Sequence, residues 1–320
     1  MYDLLIIGGG PAGVAAGIYA ARKKIKTALI TDGFGGQSLV SADIQNWIGE
    51  ISISGFDLAQ KMEAHLKAQK DIEVIEGDLV VKISPINSHQ PSVVSSISSL
   101  GFRAESKSGK ILESKTLLIT TGSHHKKLNV SGESELNGKG VVYCSTCDAP
   151  LFNGKDVAVV GGGNSGLEAV VDLLPYASKI YLLHRREELK GDPITQEKIK
   201  TNPKVEIILN AETQSIFGEA FVSGMKYLDK VSGSVKELAV QGVFVEVGSE
   251  PNSALVKDLV KTDEWGRIVI DHKTQQASHP LIWAAGDVSD GLYKQNNISM
   301  GDAVKAVLSI YDYLNRALTS

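Results

Sequence analysis

YDLLIIGGGPAGVAAGIYAARK, running from Tyr2 to Lys23, decides the fold. Tyr2 to Ile7 is a largely apolar run of strand length. GGGPAG (8–13) follows, and then an Ala-rich stretch with helical character. Gly8, Gly10 and Gly13 stand at G-x-G-x-x-G spacing, with Pro11 and Ala12 inside the turn. The first glycine permits the tight turn, the second lets backbone approach a pyrophosphate, and the third lets helix pack on strand. The pyrophosphate then meets the N-terminus of the helix, where free N–H groups and the helix dipole favour negative charge. A second strand, Thr27 to Thr31, completes a dinucleotide-binding unit. Asp32 stands close to where an acid meets a ribose hydroxyl, although the usual strand-end position is occupied by Thr31.

Working outward, the same grammar recurs. Asp156 to Val160 is an apolar run, GGGNSG (161–166) is the turn, and LEAVVDLLP reads as a helix. Gly161, Gly163 and Gly166 repeat the spacing, with Asn164 and Ser165 between. The next strand, Ile180 to Leu183, ends in His184-Arg185-Arg186, with Lys190 four residues on. Guanidinium forks suit a ribose 2′-phosphate, whereas a 2′-hydroxyl calls for an acid. The competing reading is a solvated basic cluster relieved by Glu187 and Glu188. Repetition at this distance indicates two nucleotide-binding domains, not a solenoid. The last 70 or so residues read as the completion of the first domain, so the second is inserted into it.

Both cysteines of the chain lie in VVYCSTCDAP (141–150), as Cys144 and Cys147 with Asp148 next. A C-x-x-C pair closes a disulfide with little backbone movement and exchanges it through a thiolate. Half a zinc site is the alternative, but no second Cys pair exists, and nothing ties His124 and His125 to the first. Asp148 suits a proton relay to a leaving thiolate; it also suits a turn or cap.

The 320 residues can bury a large core. The formal net charge of −4 argues against nucleic-acid binding. No apolar run approaches the roughly 20 residues of a membrane span. The start reads as a strand, not a signal peptide, so a cytoplasmic protein is expected. Among the connecting segments, DGFGGQSLVSADIQNWIGE (32–50) is long enough to be functional. Phe56 to Lys70 has helical spacing, Lys115 to Thr121 and Ile268 to Ile270 read as strands, and SHQPSVVSSISSLG (88–101) as a variable excursion. A C-terminal helix is expected from about Ile298 to Leu318. Trp47, Trp265 and Trp283 read as packing residues.

Two dinucleotide turns with C-x-x-C-D between them resemble the low-molecular-weight thioredoxin reductase family over nearly the whole chain. The resemblance rests on GGGPAG, GGQ (35–37), TTG (120–122), CSTCD (144–148), GGGNSG, HRREELK (184–190) and AAGD (284–287). FGGQ, CDAPLFNGKDVAVVGGGNSGLEAVVDL, KVEIILNAET and YKQNNISMGDAVKA are similar to the flavoprotein core of alkyl hydroperoxide reductase, without the N-terminal thioredoxin-like domains of that flavoprotein.

The resemblance implies an α/β fold of two Rossmann-like, three-layer domains: an FAD-binding domain at 1–121 and 248–320, and an NADPH-binding domain at 122–247 carrying the C-x-x-C. It places FAD on Gly8, Gly10, Pro11, Ala12, Gly13, Asp32, Gly36, Gln37, Asn46, Thr121, Gly122, Gly286, Asp287, Lys294 and Gln295. NADPH falls on Gly161, Gly163, Asn164, Ser165, Gly166, His184, Arg185, Arg186 and Lys190. The family's third basic residue is arginine, so Lys190 weakens the preference and leaves NADH possible; the peroxide-system relatives lack HRR and use NADH. The implied activity is thioredoxin-disulfide reduction, with electrons passing from NADPH to FAD, to Cys144–Cys147, and to a thioredoxin-like or glutaredoxin-like protein. Cys147 faces the flavin, Cys144 the partner, and one domain turns on the other about Gly122 and Gly248. A homodimer is expected, with no metal. The alternatives are an NAD(P)H-dependent reductase of a peroxiredoxin-linked carrier, an NAD(P)H oxidase, and a ferredoxin-fed or non-catalytic flavin sensor.

Overall fold

Leu4 and Ile6 pack on one face of a sheet, and Leu5 and Ile7 on the other, because successive strand residues point to opposite sides. That alternation builds two cores from a single buried strand. The structure is a computed structural model and describes residues 1–41, 44–86 and 101–319.

In the first sheet the central strand Tyr2–Ile7 runs parallel to Thr27–Thr31 on one side and to Ile111–Ile119 on the other. Ile72–Glu76 extends it beyond Thr27–Thr31. Val80–Ile86 and Gly101–Ser106 add antiparallel strands, and Ile282–Ala284 returns late in the chain to pair parallel with Ile111–Ile119. The helices Pro11–Arg22, Gly55–Lys67 and Asn296–Thr319 cover the face of Leu4 and Ile6.

The second sheet is built from residues that lie between these strands in sequence. Asp156–Val160 is flanked by Lys179–Leu183 and by Gly242–Val245, all parallel, with Val205–Ile208 and Val141–Val142 at the edges. The helices Asn164–Leu173 and Pro193–Lys200 cover one face. An antiparallel sheet of Ala211–Gly218, Val222–Asp229 and Ser234–Leu238 covers the other through Ile216, Met225 and Tyr227. Each unit is thus layered around a parallel core, and the second is inserted into the first. Between them, Ser123–His125 pairs antiparallel with Ser249–Pro251.

Several boundaries differ from expectation. The first-sheet strand begins at Ile111, not Lys115, and the C-terminal helix at Asn296. Ile268 to Ile270 is not a strand. Ile268 bridges Thr262 and Ser289 while Ile270 bridges Ala277, so consecutive residues meet different segments and no ladder propagates. Trp283 is buried as expected, but Trp265 is 62% exposed, with the Arg267 guanidinium 4.6 Å from its ring centre. Of the Ser-rich stretch, residues 88–100 lie outside the described residues.

The third glycine of each turn is a packing requirement. A Cβ on Gly13 would stand 1.8 Å from the Gly8 carbonyl oxygen, and one on Gly166 would stand 1.9 Å from that of Gly161. Backbone cannot yield there as a side-chain tip could. Gly13→Ala should cost about 3 kcal/mol, in the range of overpacked cores. A urea midpoint equal to that of the wild type would show that the turn tolerates the methyl.

Candidate functional site

The helices that follow the two glycine turns differ from Gly55–Lys67 and Pro193–Lys200 at their N-termini. Ser54 caps Gly55–Lys67 through Asp57 N–H, and Asp192 caps Pro193–Lys200 through Thr195 N–H. The helices after Gly10 and Gly163 have no side-chain cap. Nothing lies within 4 Å of where a Cβ on either glycine would stand. Open space against uncapped helix N–H donors fits a pyrophosphate.

Around the first turn, Gly35 N–H donates to Gly9 O, and Gly36 (φ +56°) brings its backbone against Gly10. Gln37 reaches Ser123 O at 2.9 Å, and Asn46 donates to Gln295 Oε1 at 3.0 Å. Thr121 Oγ1 donates to Asn252 O, and Gly122 O accepts from Asn252 N–H. Gly286 (φ +78°) sits against Ala12. Asp287 is held by Ser299 at 3.4 Å, and its carboxyl pKa is raised by burial. Lys294 donates to the carbonyls of Asp287 and Ser289, and burial lowers its pKa. Asp32 is exposed beside Thr31, whose hydroxyl turns back to Gly33 O.

A cavity of about 1170 Å³ joins much of this to the cysteines. Gln37, Asn46, Asp287, Lys294 and Gln295 line one part; Ser165, Cys144, Cys147 and Asp148 line another. Cys144 and Cys147 are disulfide-bonded with Cα atoms 5.4 Å apart. Cys144 is the extended N-cap of the four-residue helix Ser145–Asp148. His125 is stacked on Tyr143 at its rim, 5.5 Å between ring centres.

Asp148 is 8% exposed, and burial pushes its carboxyl up to about 7. It makes no side-chain cap bond to the turn it precedes, Ala149–Phe152. The native state therefore retains a proton that the unfolded chain releases near pH 4, so stability falls as pH rises from about 4 to about 7 and stays lowered above that. Asp148→Asn should raise the melting temperature at pH 8, by roughly 2–4 kcal/mol of stability, and leave it unchanged at pH 4. Equal shifts at both pH values would exclude a buried, protonated Asp148.

His184, Arg185, Arg186 and Lys190 stand away from the lining of this cavity. His184 Nδ1 accepts from Gly162 N–H at 3.1 Å, and its Nε2 is buried with no partner. Burial lowers its pKa, as do the nearby charges of Arg186, Arg185 and Lys190. Arg185 and Arg186 are exposed and form no ion pair among the described residues, Glu187 and Glu188 included. Two acids escaped the sequence reading: Asp172, which accepts from Ser145 Oγ, and Glu246, whose carboxyl burial and the charges of Asp172 and Glu168 push up to about 8. Ser165, Glu168 and Asp172 recur three and four apart, a polar stripe that would have shown that face.

The family model described as pyridine nucleotide-disulphide oxidoreductase matches residues 2–305. The chain belongs to this family. Like other pyridine nucleotide-disulphide oxidoreductases it is an FAD- and NAD(P)H-binding oxidoreductase, and both donor sets above fit that requirement.

It is 39% identical over 315 residues to a Bacillus subtilis protein named NADH dehydrogenase, covering 98% of this chain and 59% of that one. It is 39% identical over 320 residues to an alkyl hydroperoxide reductase component of Escherichia coli, covering all of this chain and 59% of that one. The chain thus spans 59% of the length of these relatives. A thioredoxin reductase structure from Streptococcus pyogenes superposes with TM-score 0.88 at 36% identity, over 99% of both chains. Thioredoxin reductase of Lactococcus lactis in its FR conformation superposes with TM-score 0.65 at 30% identity, over 99% of this chain and 100% of that one. No described helix is long and apolar enough to cross a membrane.

Proposed function

We propose that the chain is an NADPH-dependent reductase of a thioredoxin-like or glutaredoxin-like protein disulfide. One observation carries this reading: the Cys144–Cys147 disulfide opens on the same cavity as Gln37, Asn46, Asp287, Lys294, Gln295 and Ser165. Bound FAD supplies a two-electron relay between reduced nicotinamide and a disulfide.

The chain's own residues do the rest. The uncapped helices at Gly10 and Gly163 bind pyrophosphates, Asp287 meets flavin-side hydroxyls, and His184, Arg185, Arg186 and Lys190 hold a 2′-phosphate. The Asn296–Thr319 helix begins at the cavity wall and turns its positive end inward. Asp148, protonated near neutrality, supplies the proton for a leaving thiolate. In the dithiol form, the Cys144 thiolate attacks one sulfur of the partner's disulfide and expels the other. The Cys147 thiolate then attacks the Cys144 sulfur, restoring the Cys144–Cys147 bond and releasing the partner as a dithiol.

Both cysteines line this cavity, which favours a reading in which one domain turns on the other to admit a protein partner. The paired strands Ser123–His125 and Ser249–Pro251 form the crossing, with Gly122 (φ +66°) and Gly248 (φ +103°) as pivots and domain boundaries at 121/122 and 247/248. The fall in TM-score from 0.88 to 0.65 at nearly full coverage is what two arrangements of the same domains would give. A cytoplasmic homodimer completes the reading.

The relative named for alkyl hydroperoxide reduction supports a second reading, in which the acceptor is a peroxiredoxin-linked dithiol carrier. The experiment mixes protein, NADPH and a panel of small dithiol proteins and follows disulfide reduction. Flavin bleaching with no disulfide acceptor would turn the reading to an oxidase.

A further inference from the structure

Two hydroxyl residues separate the cysteines, and both donate to one carboxylate. Ser145 Oγ lies 2.8 Å from Asp172 Oδ2, and Thr146 Oγ1 lies 3.3 Å from the same oxygen. Asp172 belongs to the helix Asn164–Leu173, which begins at the second glycine turn. We propose that Asp172 is a positioning residue for the redox pair, clasping the Cys144–Cys147 turn to the helix of the nicotinamide-binding turn through the Ser145 and Thr146 hydroxyls.

The local sequence favours neither partner where it stands unless they meet. Ser145–Asp148 is one turn long, too short to be stable alone, and Cys144 offers it no side-chain cap. Serine and threonine are poor helix formers. Asp172 lies in the last turn of its helix, where a negative charge opposes the dipole. The clasp gives each a partner. Ser145 is 8% exposed, so its hydroxyl needs one. The other contacts of the pair are weaker guides to position: Asp148 N–H donates to Cys144 O within the turn itself. Because the clasp ties the turn to a rigid element, it holds the two sulfurs at disulfide separation. High effective concentration of the two thiols favours the disulfide over the dithiol and makes the reduced pair a stronger reductant.

This inference rests on the reading of Cys144–Cys147 as the exit of the electron path, but its test does not depend on finding the partner. The holoprotein is equilibrated in dithiothreitol buffers of graded ratio, and the oxidised fraction of the pair is read by thiol labelling. In Asp172→Ala and in Ser145→Ala/Thr146→Ala, the equilibrium should move about tenfold toward the dithiol, which is ~30 mV more oxidising. Ser145→Thr keeps a hydroxyl donor and should titrate as the wild type does. Bleaching of the flavin by NADPH should keep its wild-type rate in all three. If Asp172→Ala does not fold, the double hydroxyl variant carries the test, since it leaves the helix Asn164–Leu173 intact. Wild-type potentials in the truncated variants overturn the proposal, even where the melting temperature falls, because that outcome is a purely structural role. A wild-type protein that reduces no dithiol protein would instead overturn the assigned function and leave this titration to decide the clasp by itself.

Discussion

Cys144→Ser and Cys147→Ser should each lower partner-disulfide reduction by roughly 10³-fold or more, while NADPH still bleaches the flavin at the wild-type rate. The magnitude follows from the loss of a covalent step that no other group in the chain can perform. The chain has two cysteines, and both are in this bond. The two variants should also fail differently. Cys144 occupies the extended position just before the short helix, while Cys147 lies within it. The proposed function makes Cys144 the attacking thiol and Cys147 the resolving one. Cys147→Ser therefore leaves an attacking thiol with nothing to resolve the product, and a stable mixed disulfide with the partner should accumulate on a non-reducing gel. Cys144→Ser should form no such adduct. Either variant retaining more than a tenth of the wild-type rate would falsify an electron path through this pair.

The parts of this site legible in the sequence are those written in local chemistry. GGGPAG and GGGNSG stand after buried strands and open helices, because the turn demands glycine where backbone crowds backbone. Leu4–Ile7 and Val157–Val160, the buried parts of the two first strands, are apolar on both faces, and such runs are read from composition alone. The cysteine pair needs no tertiary partner to be recognised.

What escaped was specified by distance. Ser234–Leu238 is exposed along almost its whole length and carries no alternation to read. Ala211–Gly218 slips register between Thr213 and Ser215, which breaks the period of two. Ser123–His125 and Ser249–Pro251 are three residues each and polar; only their meeting makes them strands. Asp172 and Glu246 are ordinary acids in the sequence. The fold sets Asp172 against the Ser145 hydroxyl as a hydrogen-bond acceptor, and it buries Glu246, whose pKa rises through that burial and the charges of Asp172 and Glu168.

The second large effect concerns which nicotinamide enters. Arg185→Ala/Arg186→Ala should lower kcat/KM for NADPH by roughly 10²- to 10⁴-fold and change that for NADH by less than about threefold. Two charge-assisted hydrogen bonds to a phosphate are worth about 1.5–3 kcal/mol each, and that sum sets the range. The geometry explains why the loss should be selective. The backbone of the segment is pinned on both sides: Lys190 N–H donates to Gly162 O at 2.7 Å, Asn210 N–H to Arg186 O, and Ala211 N–H to His184 O. The guanidinium groups hang from that fixed backbone without ion pairs among the described residues, so truncating them breaks no ion pair, although it removes charges that lower the His184 pKa. His184 keeps its bond from Gly162 N–H, with its Nε2 buried and without a partner among the described residues. Lys190 offers a point charge where a fork would grip two oxygens, so Lys190→Ala should cost NADPH less than either arginine does. Salt supplies an independent check. Raising ionic strength should weaken NADPH binding in the wild type and have little effect on the double variant, because only the former binds through exposed charge. Equal losses for both nicotinamides would place the arginines outside 2′-phosphate recognition, and a wild type that prefers NADH would assign the cluster to solvent.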